Sequence, residues 1–302
     1  MLANIKEKIK IKNWRIGPVG ILAAIALVLF IAILILESRE IKLQVPVQIA
    51  QVQTKTAAQD AEEEPTRPVA APYITPDTAM GRLTVFAKMH KLPLSEWPGS
   101  LIEFMEKYPE TESYVMNYPF YKDVQVPIDL TSSLGADKMP LFLQWDARWG
   151  YTQYSGEFFA TSGCGPTCLS MVALHLLQDA TLTPRYVADF SQENGYYTEG
   201  MGSNWTLISE GGEQLGLEVE EIYLDKYTVM TELEAGNAII CSVGPGVFTY
   251  TGHFIVLSGI ENGLIRINDP NSRVNSEQLW KYEQIEDQVL GIWACRLPQA
   301  EE

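Results

Sequence analysis

Ser162-Gly163-Cys164-Gly165-Pro166-Thr167 stands at the head of an apolar run, residues 164–177, and the reading of that junction decides the fold. The run predicts a buried helix. Pro166 suits its first turn, where a missing N–H costs nothing, so Cys164 falls at the helix start. Unpaired N–H groups and the positive end of the helix dipole favour a thiolate there, which makes Cys164 a nucleophile candidate. A cysteine packed between two glycines in a tight turn fits the same residues. Beyond it, Thr183-Pro184 caps a second helix, and residues 203–215 read as a third that ends at Gly216. Strands then dominate. Residues 238–243, 252–260 and 264–268 are apolar and β-branched, and Asn262-Gly263 between the last two is a type I′ hairpin signal. A helix near 276–282 and a terminal strand over 289–296 complete the pattern. Helices first and antiparallel strands second describe an α+β domain.

A nucleophilic cysteine needs a base, and the chain has only three histidines. His175 lies 11 residues along the same helix as Cys164, roughly 16 Å away at the helical rise. His90 sits among proline-broken segments outside the domain. His253 remains, at the opening of the strand His253-Phe254-Ile255-Val256-Leu257, where a strand end can present an imidazole to a cleft. A lone histidine at a strand edge is also an ordinary structural feature. Across the Asn262-Gly263 turn, pairing brings Asn268 and Asp269 near the level of His253. Asp269, or alternatively Asn268, is placed to hold the imidazole in one tautomer, although Asp-Pro after a strand is also a common turn. An oxyanion hole needs donors aimed at developing charge. The Cys164 N–H is one candidate, and Gln144, ahead of Trp145-Asp146-Ala147-Arg148-Trp149-Gly150, is another; a surface glutamine before an aromatic turn is the plainer reading.

Taken in order, Gln144, Cys164 in Gly-Cys-Gly-Pro-Thr, His253 in Gly-His-Phe and Asp269 in Asn-Asp-Pro resemble the peptidase C39-like family of papain-type cysteine peptidases. The similarity covers about residues 126–297. It implies a papain-like fold and amide hydrolysis through a thioester acyl-enzyme, with Cys164 as nucleophile, His253 as base, Asp269 as orienter and Gln144 in the oxyanion hole. The Pro-x-x-Leu and Pro-Glu-Thr pieces near Pro98 and Pro109 also resemble the helical segment that precedes this domain in membrane-anchored bacterial members. Relatives fused to peptide exporters trim leaders after a double glycine on the cytoplasmic side. This chain has one apolar span and no ATPase motif, so that role does not carry over. Gly211-Gly212 reads as a helix interruption.

The span opens at Val19 and closes at Leu36, 18 uncharged residues in a row. As a helix it is roughly 27 Å long, near the hydrocarbon thickness of a bilayer. Lys6, Lys8, Lys10, Lys12 and Arg15 precede it, while mixed charges follow, so the N-terminus is expected in the cytoplasm and the body outside. A cleaved signal peptide would have a shorter apolar core ending in small residues. The expected organisation is a basic segment over 1–15, a transmembrane helix over 16–37, a disordered linker over 38–78, a small helical segment over 79–125 and the peptidase-like domain over 126–299. The linker is rich in proline and acid and cannot bury enough apolar surface to order itself. In the helical segment Pro93, Pro98, Pro109 and Pro119 cut short helices.

The full chain carries 22 bases and 38 acids, a formal charge of -16. Such a surface repels phosphate backbones and argues against a nucleic-acid partner. Four cysteines without a Cys-x-x-Cys pair suggest neither a disulfide scaffold nor structural zinc, and no cofactor or metal is expected. Cys168, one turn below Cys164, reads as a small core residue or, alternatively, a resolving thiol. Cys241 and Cys295 in late strands read as free buried thiols or a disulfide. Trp145 and Trp149 fit a groove lining or an aromatic core. The leading expectation is a membrane-anchored extracytoplasmic cysteine peptidase acting on peptides or proteins. A peptide-binding module without turnover, and a cell-wall amidase or transglutaminase-like acyl transferase, are the alternatives.

Overall fold

The computed structural model describes residues 78–298. The apolar span, its basic flank and all but the last residue of the linker expected over 38–78 lie outside them, and no described helix is long and apolar enough to cross a membrane.

Helices α1 (Ala79–His90), α2 (Gly99–Lys107) and α3 (Glu112–Tyr121) come first. The Thr78 hydroxyl caps α1 by accepting from the Gly81 N–H at 3.0 Å, and Lys91 ends the helix in the left-handed region, φ 56°. Pro119 does not break α3 as expected but lies inside it. A proline leaves the carbonyl four residues back without its helical donor. Here that carbonyl, on Val115, accepts from the Trp97 indole N–H at 2.8 Å, so the orphan is satisfied from outside the helix. Leu83, Leu101, Met105 and Val115 form a core that also takes in Tyr151 and Ala160 of the following domain. The Tyr151 hydroxyl donates to the Tyr114 carbonyl at 2.7 Å across that junction.

The larger part is a six-stranded antiparallel sheet flanked by helices. Its strands are β1 (Glu218–Glu221), β2 (Ala238–Val243), β3 (His253–Glu261), β4 (Leu264–Asn268), β5 (Leu279–Trp280) and β6 (Val289–Arg296), in the order β1-β6-β2-β3-β4-β5. Alternation sends Ile240, Phe254, Val256 and Trp293 to one face, against α4 (Cys164–Leu177), beside which α5 (Pro184–Glu193) packs. Ile239, Cys241, Ile255 and Ile267 face the other side, where Val229 and Leu233 of α7 (Lys226–Glu234) cover them. Covered on both faces, β2 is buried at every position, which is why it reads as an unbroken apolar run. The β3–β4 hairpin turns at Asn262 and Gly263, φ 55° and 74°, the positive pair a type I′ turn requires.

Two expected helices differ. The helix expected over 203–215 is a 3-10 turn, Trp205–Leu207, followed by α6, Ser209–Gln214. Its start is lost because Gly202 and Ser203 pair with Thr198 and Tyr197 in a short ladder. Gly211 and Gly212 do not interrupt α6; they are buried within it, and a Cβ on Gly212 would stand 2.8 Å from the Val219 side chain. The helix expected near 276–282 is a single turn, Arg273–Ser276, followed by β5. Trp280 is drawn into the sheet opposite Ile265, and its indole N–H donates to the Asn275 carbonyl at 2.9 Å. Tertiary pairing here overrides local helical preference.

Helix α4 starts where two chain segments press close. A Cβ on Gly163 would lie 2.5 Å from the Phe159 ring and 2.6 Å from the Phe159 carbonyl oxygen, and one on Gly165 would lie 2.6 Å from Ser203 Cβ. Gly163→Ala should therefore destabilise the fold by about 1–3 kcal/mol through overpacking. Urea unfolding should show a lower midpoint with an unchanged slope; a midpoint at the wild-type value would contradict this packing.

Candidate active site

A cleft of about 400 Å³ opens at the start of α4 and is lined by Gln144, Cys164 and His253. Cys164 is the one cysteine of the four that is not fully buried. Gly163 at the N-cap offers no side chain, and none caps α4, so the helix start faces the cleft with main chain and sulfur alone.

His253 opens β3 and is 8% exposed. Its Nε2 stands 2.8 Å from Asp269 Oδ1. With Nε2 committed there, Nδ1 is the ring nitrogen left over for Cys164, which lines the same cleft. Burial pulls the ring's pKa down, but the Asp269 carboxylate, by charge and hydrogen bond, and the Cys164 sulfur outweigh it and raise the imidazole to about 10. Asp269, just beyond β4, is fully buried. Its Oδ1 also accepts from the Asn271 N–H at 2.9 Å, and its Oδ2 accepts from Asn275 Nδ2 at 2.8 Å. Asn268, the alternative orienter, is occupied elsewhere: Nδ2 donates to the Pro140 carbonyl at 3.0 Å and Oδ1 accepts from the Ser258 hydroxyl at 3.0 Å.

Gln144 is 3% exposed. Its Nε2 donates to the Ala160 carbonyl at 2.6 Å, and its Oε1 has no partner. An amide nitrogen carries two hydrogens, so one remains for the cleft. Gln144 is also tied to the Asp269 loop, since its own N–H donates to the Pro270 carbonyl at 2.7 Å. The Trp145 indole donates to the Asn271 carbonyl at 3.1 Å. Trp149 is buried in the core, so neither tryptophan lines the cleft. His90 packs against Phe86 and Phe120, and His175 on α4 is half-buried. Among the described residues no group of His, Cys, Asp and Glu is placed to hold a metal ion.

The peptidase C39 like family model matches residues 137–300, more than half the chain. The chain belongs to that family. No curated protein matches it. Among solved structures, the peptidase domain of ComA from Streptococcus, a bifunctional ABC transporter involved in a quorum-sensing pathway, is 20% identical. It covers 53% of this chain and 99% of its own, with a TM-score of 0.39. A C39-like peptidase from Bacillus anthracis is 13% identical over 58% of this chain and 98% of its own, TM-score 0.36. A double glycine motif protease from an AMS/PCAT transporter, in complex with a leader peptide, is 17% identical over 55% and 97%, TM-score 0.33. The C39-like fold is α+β and papain-like, a helical part packed on an antiparallel sheet.

The C39-like domain does not line its cleft alone. Phe104, Lys107 and Tyr108 come from the helical segment, ahead of the family match. Burial raises the Tyr108 phenol. The sequence shows Phe104 and Tyr108 only as apolar residues at helical spacing, and nothing in it marks them, or Lys107, as cleft lining. The other thiols are set apart from the cleft. Burial pushes Cys168 up, and Cys295 up to about 12. Cys241 pairs with Ile292 and Cys295 with Ala238 in the β2–β6 register, so the two sulfurs lie on opposite faces of the sheet and are free.

The elevated His253 value has a pH signature. Because the folded value exceeds the unfolded one, near 6.5, the charged ring stabilises the fold fully below about pH 6.5. That contribution is lost as pH rises through about 10. NMR titration of the ring should find the elevated midpoint in wild type. In Asp269→Ala, burial is left with less opposition and the midpoint should fall. An Asp269→Ala ring that titrates like wild type would refute the assigned cause.

Proposed function

We propose that this chain is a cysteine peptidase with Cys164 as nucleophile, His253 as general acid and base, Asp269 as orienter and Gln144 as an oxyanion donor. The observation that carries the reading is the buried His253–Asp269 hydrogen bond at 2.8 Å, on a ring that shares the cleft with Cys164 at a helix start. Membership of a peptidase family supports it. The elevated imidazole favours a charged ring at neutral pH.

The Cys164 sulfur attacks the scissile carbonyl carbon. The second hydrogen on Gln144 Nε2 and the main-chain N–H of Cys164 receive the oxyanion. Nδ1–H of His253 passes its proton to the leaving amine, the C–N bond breaks, and a thioester remains on Cys164. His253 then takes a proton from water, whose oxygen attacks the thioester, and the acid product and Cys164 are released. Throughout, Asp269 keeps Nε2 protonated, so that Nδ1 is the nitrogen that trades protons with Cys164 and substrate.

Peptides or proteins outside the cytoplasm are the proposed substrates. The charge asymmetry around the apolar span supports an anchored enzyme with its catalytic body facing outward. Protease added to intact cells should degrade that body; a protected body would exclude this topology.

Gln144→Ala should lower turnover by about 100- to 1,000-fold, the cost of one oxyanion donor. Labelling of Cys164 by a thiol probe should persist, because Gln144 acts on the oxyanion and not on the sulfur. Asp269→Ala should depress both labelling and turnover. Asp269→Asn should be milder, since an amide oxygen still accepts from the ring. The assignment fails if no peptide in a library is cleaved in a Cys164-dependent manner, or if Gln144→Ala abolishes labelling while Asp269→Ala leaves turnover intact.

A further inference from the structure

The Asp269 carboxylate takes part of its support from the short turn Arg273–Ser276. Asn275 Nδ2 donates to Asp269 Oδ2 at 2.8 Å, and the Asp269 N–H donates to the Ser276 hydroxyl at 2.9 Å. Side chain and main chain of Asp269 are thus both held by one turn. A turn this short cannot satisfy its own first N–H groups, and it needs acceptors from outside.

Two of its first three N–H groups donate to a residue more than 150 positions earlier in the chain. Glu110 follows Tyr108 and Pro109 in the helical segment. Its Oε2 accepts from the Arg273 N–H at 2.8 Å and the Val274 N–H at 3.3 Å. Its Oε1 accepts from the Ser272 hydroxyl at 2.5 Å. That last bond fixes the direction of the Ser272 proton, leaving the Ser272 oxygen free to accept from the Asn275 N–H at 3.1 Å. The chain of bonds is continuous. Glu110 orients Ser272, Ser272 fixes Asn275, Asn275 holds Asp269, and Asp269 holds His253.

We infer that Glu110 is a positioning residue for the catalytic centre, through which the helical segment ahead of the family domain sets the aim of Asp269 on His253. The inference rests on the proposed roles of Cys164, His253 and Asp269. It makes the helical segment part of the catalytic unit, because the same segment both walls the cleft through Phe104 and Tyr108 and latches the turn behind Asp269.

The test uses the full chain and follows the His253 ring by NMR, because this signal does not require turnover. The charged or titratable groups facing that ring are Asp269 and Cys164, with the Tyr108 phenol near both. Glu110 touches none of them, so an effect on the ring must travel through the turn. Glu110→Ala should lower the His253 midpoint by about one pH unit, a tenfold change in its acid constant. It should also reduce kcat by about 10- to 100-fold, the scale of a slightly misaimed group, with little change in KM. Glu110→Gln keeps one acceptor oxygen and should restore much of both. If Glu110→Ala does not fold, Ser272→Ala cuts the same chain one link further on and should shift the midpoint in the same direction. An unshifted His253 midpoint in a folded Glu110→Ala or Ser272→Ala protein overturns the inference, whatever happens to its melting temperature. Absence of Cys164-dependent hydrolysis in wild type would instead defeat the proposed function, and the ring titration would still decide the role of Glu110.

Discussion

The buried bond between His253 and Asp269 is the constraint on which the rest of the structure depends. Asp269 has no exposed surface, and a carboxylate taken out of water loses far more than one ordinary hydrogen bond returns. Three donors face it: the imidazole, the Asn271 main chain and the Asn275 amide. Each comes from a different part of the surroundings, so the carboxylate cannot turn toward one without giving up another. A buried charged pair is poor evidence of stability and good evidence of orientation. The anchors behind it fit that view. Trp145 fixes the Asn271 carbonyl, Trp280 fixes the Asn275 carbonyl and Glu110 fixes the turn between them.

The four cysteines show how much of their difference comes from place. Cys168 is one helical turn from Cys164, yet it is sealed into the core between α4 and the sheet, where burial keeps the thiol protonated. Cys241 and Cys295 sit on opposite faces of the same sheet, and each is walled in by aliphatic neighbours. Only Cys164 combines contact with a cleft, a helix start and a histidine. The two glycines beside it serve packing: they let Phe159 and Ser203 approach the helix start. A tight glycine turn and a half-buried thiol at the cleft are thus one arrangement seen from two sides.

What was legible in the sequence follows the range of the interactions involved. The helix at 164–177 and the strands at 238–243, 264–268 and 289–296 match their predicted spans, since each is a long apolar segment whose neighbours on both sides demand burial. The Asn262-Gly263 turn was legible for a local reason, the positive φ at both residues. Where a distant partner decided the outcome, the local pattern misled. Trp280 left a predicted helix to pair with Ile265, and Ser203 left another to pair with Tyr197. The choice between Asn268 and Asp269 also stayed open in the sequence. Those neighbours differ by which side chain meets Pro140 and which meets His253, and spacing carries no information about that. Tyr108 and Glu110 were out of reach for the same reason, because their partners lie far along the chain.

Gln144 is the place where a local rule is broken. A buried amide should satisfy both its ends, and an orphaned buried oxygen costs about 1–3 kcal/mol. Yet Gln144 Oε1 has no partner while Nε2 is bound to the Ala160 carbonyl. Rotating the amide would not help, because it would turn the oxygen toward that carbonyl and lose the 2.6 Å bond. A hydrophobic residue of similar size would remove the orphan altogether, so stability alone gives no reason for a glutamine here. The proposed oxyanion role supplies one, through the remaining N–H of a residue that lines the cleft beside Cys164 and His253. A donor kept unpaired in the resting protein is what a site needs if it is to bind negative charge that exists only in the transition state. The cost appears on the oxygen, and the capacity it maintains belongs to the nitrogen.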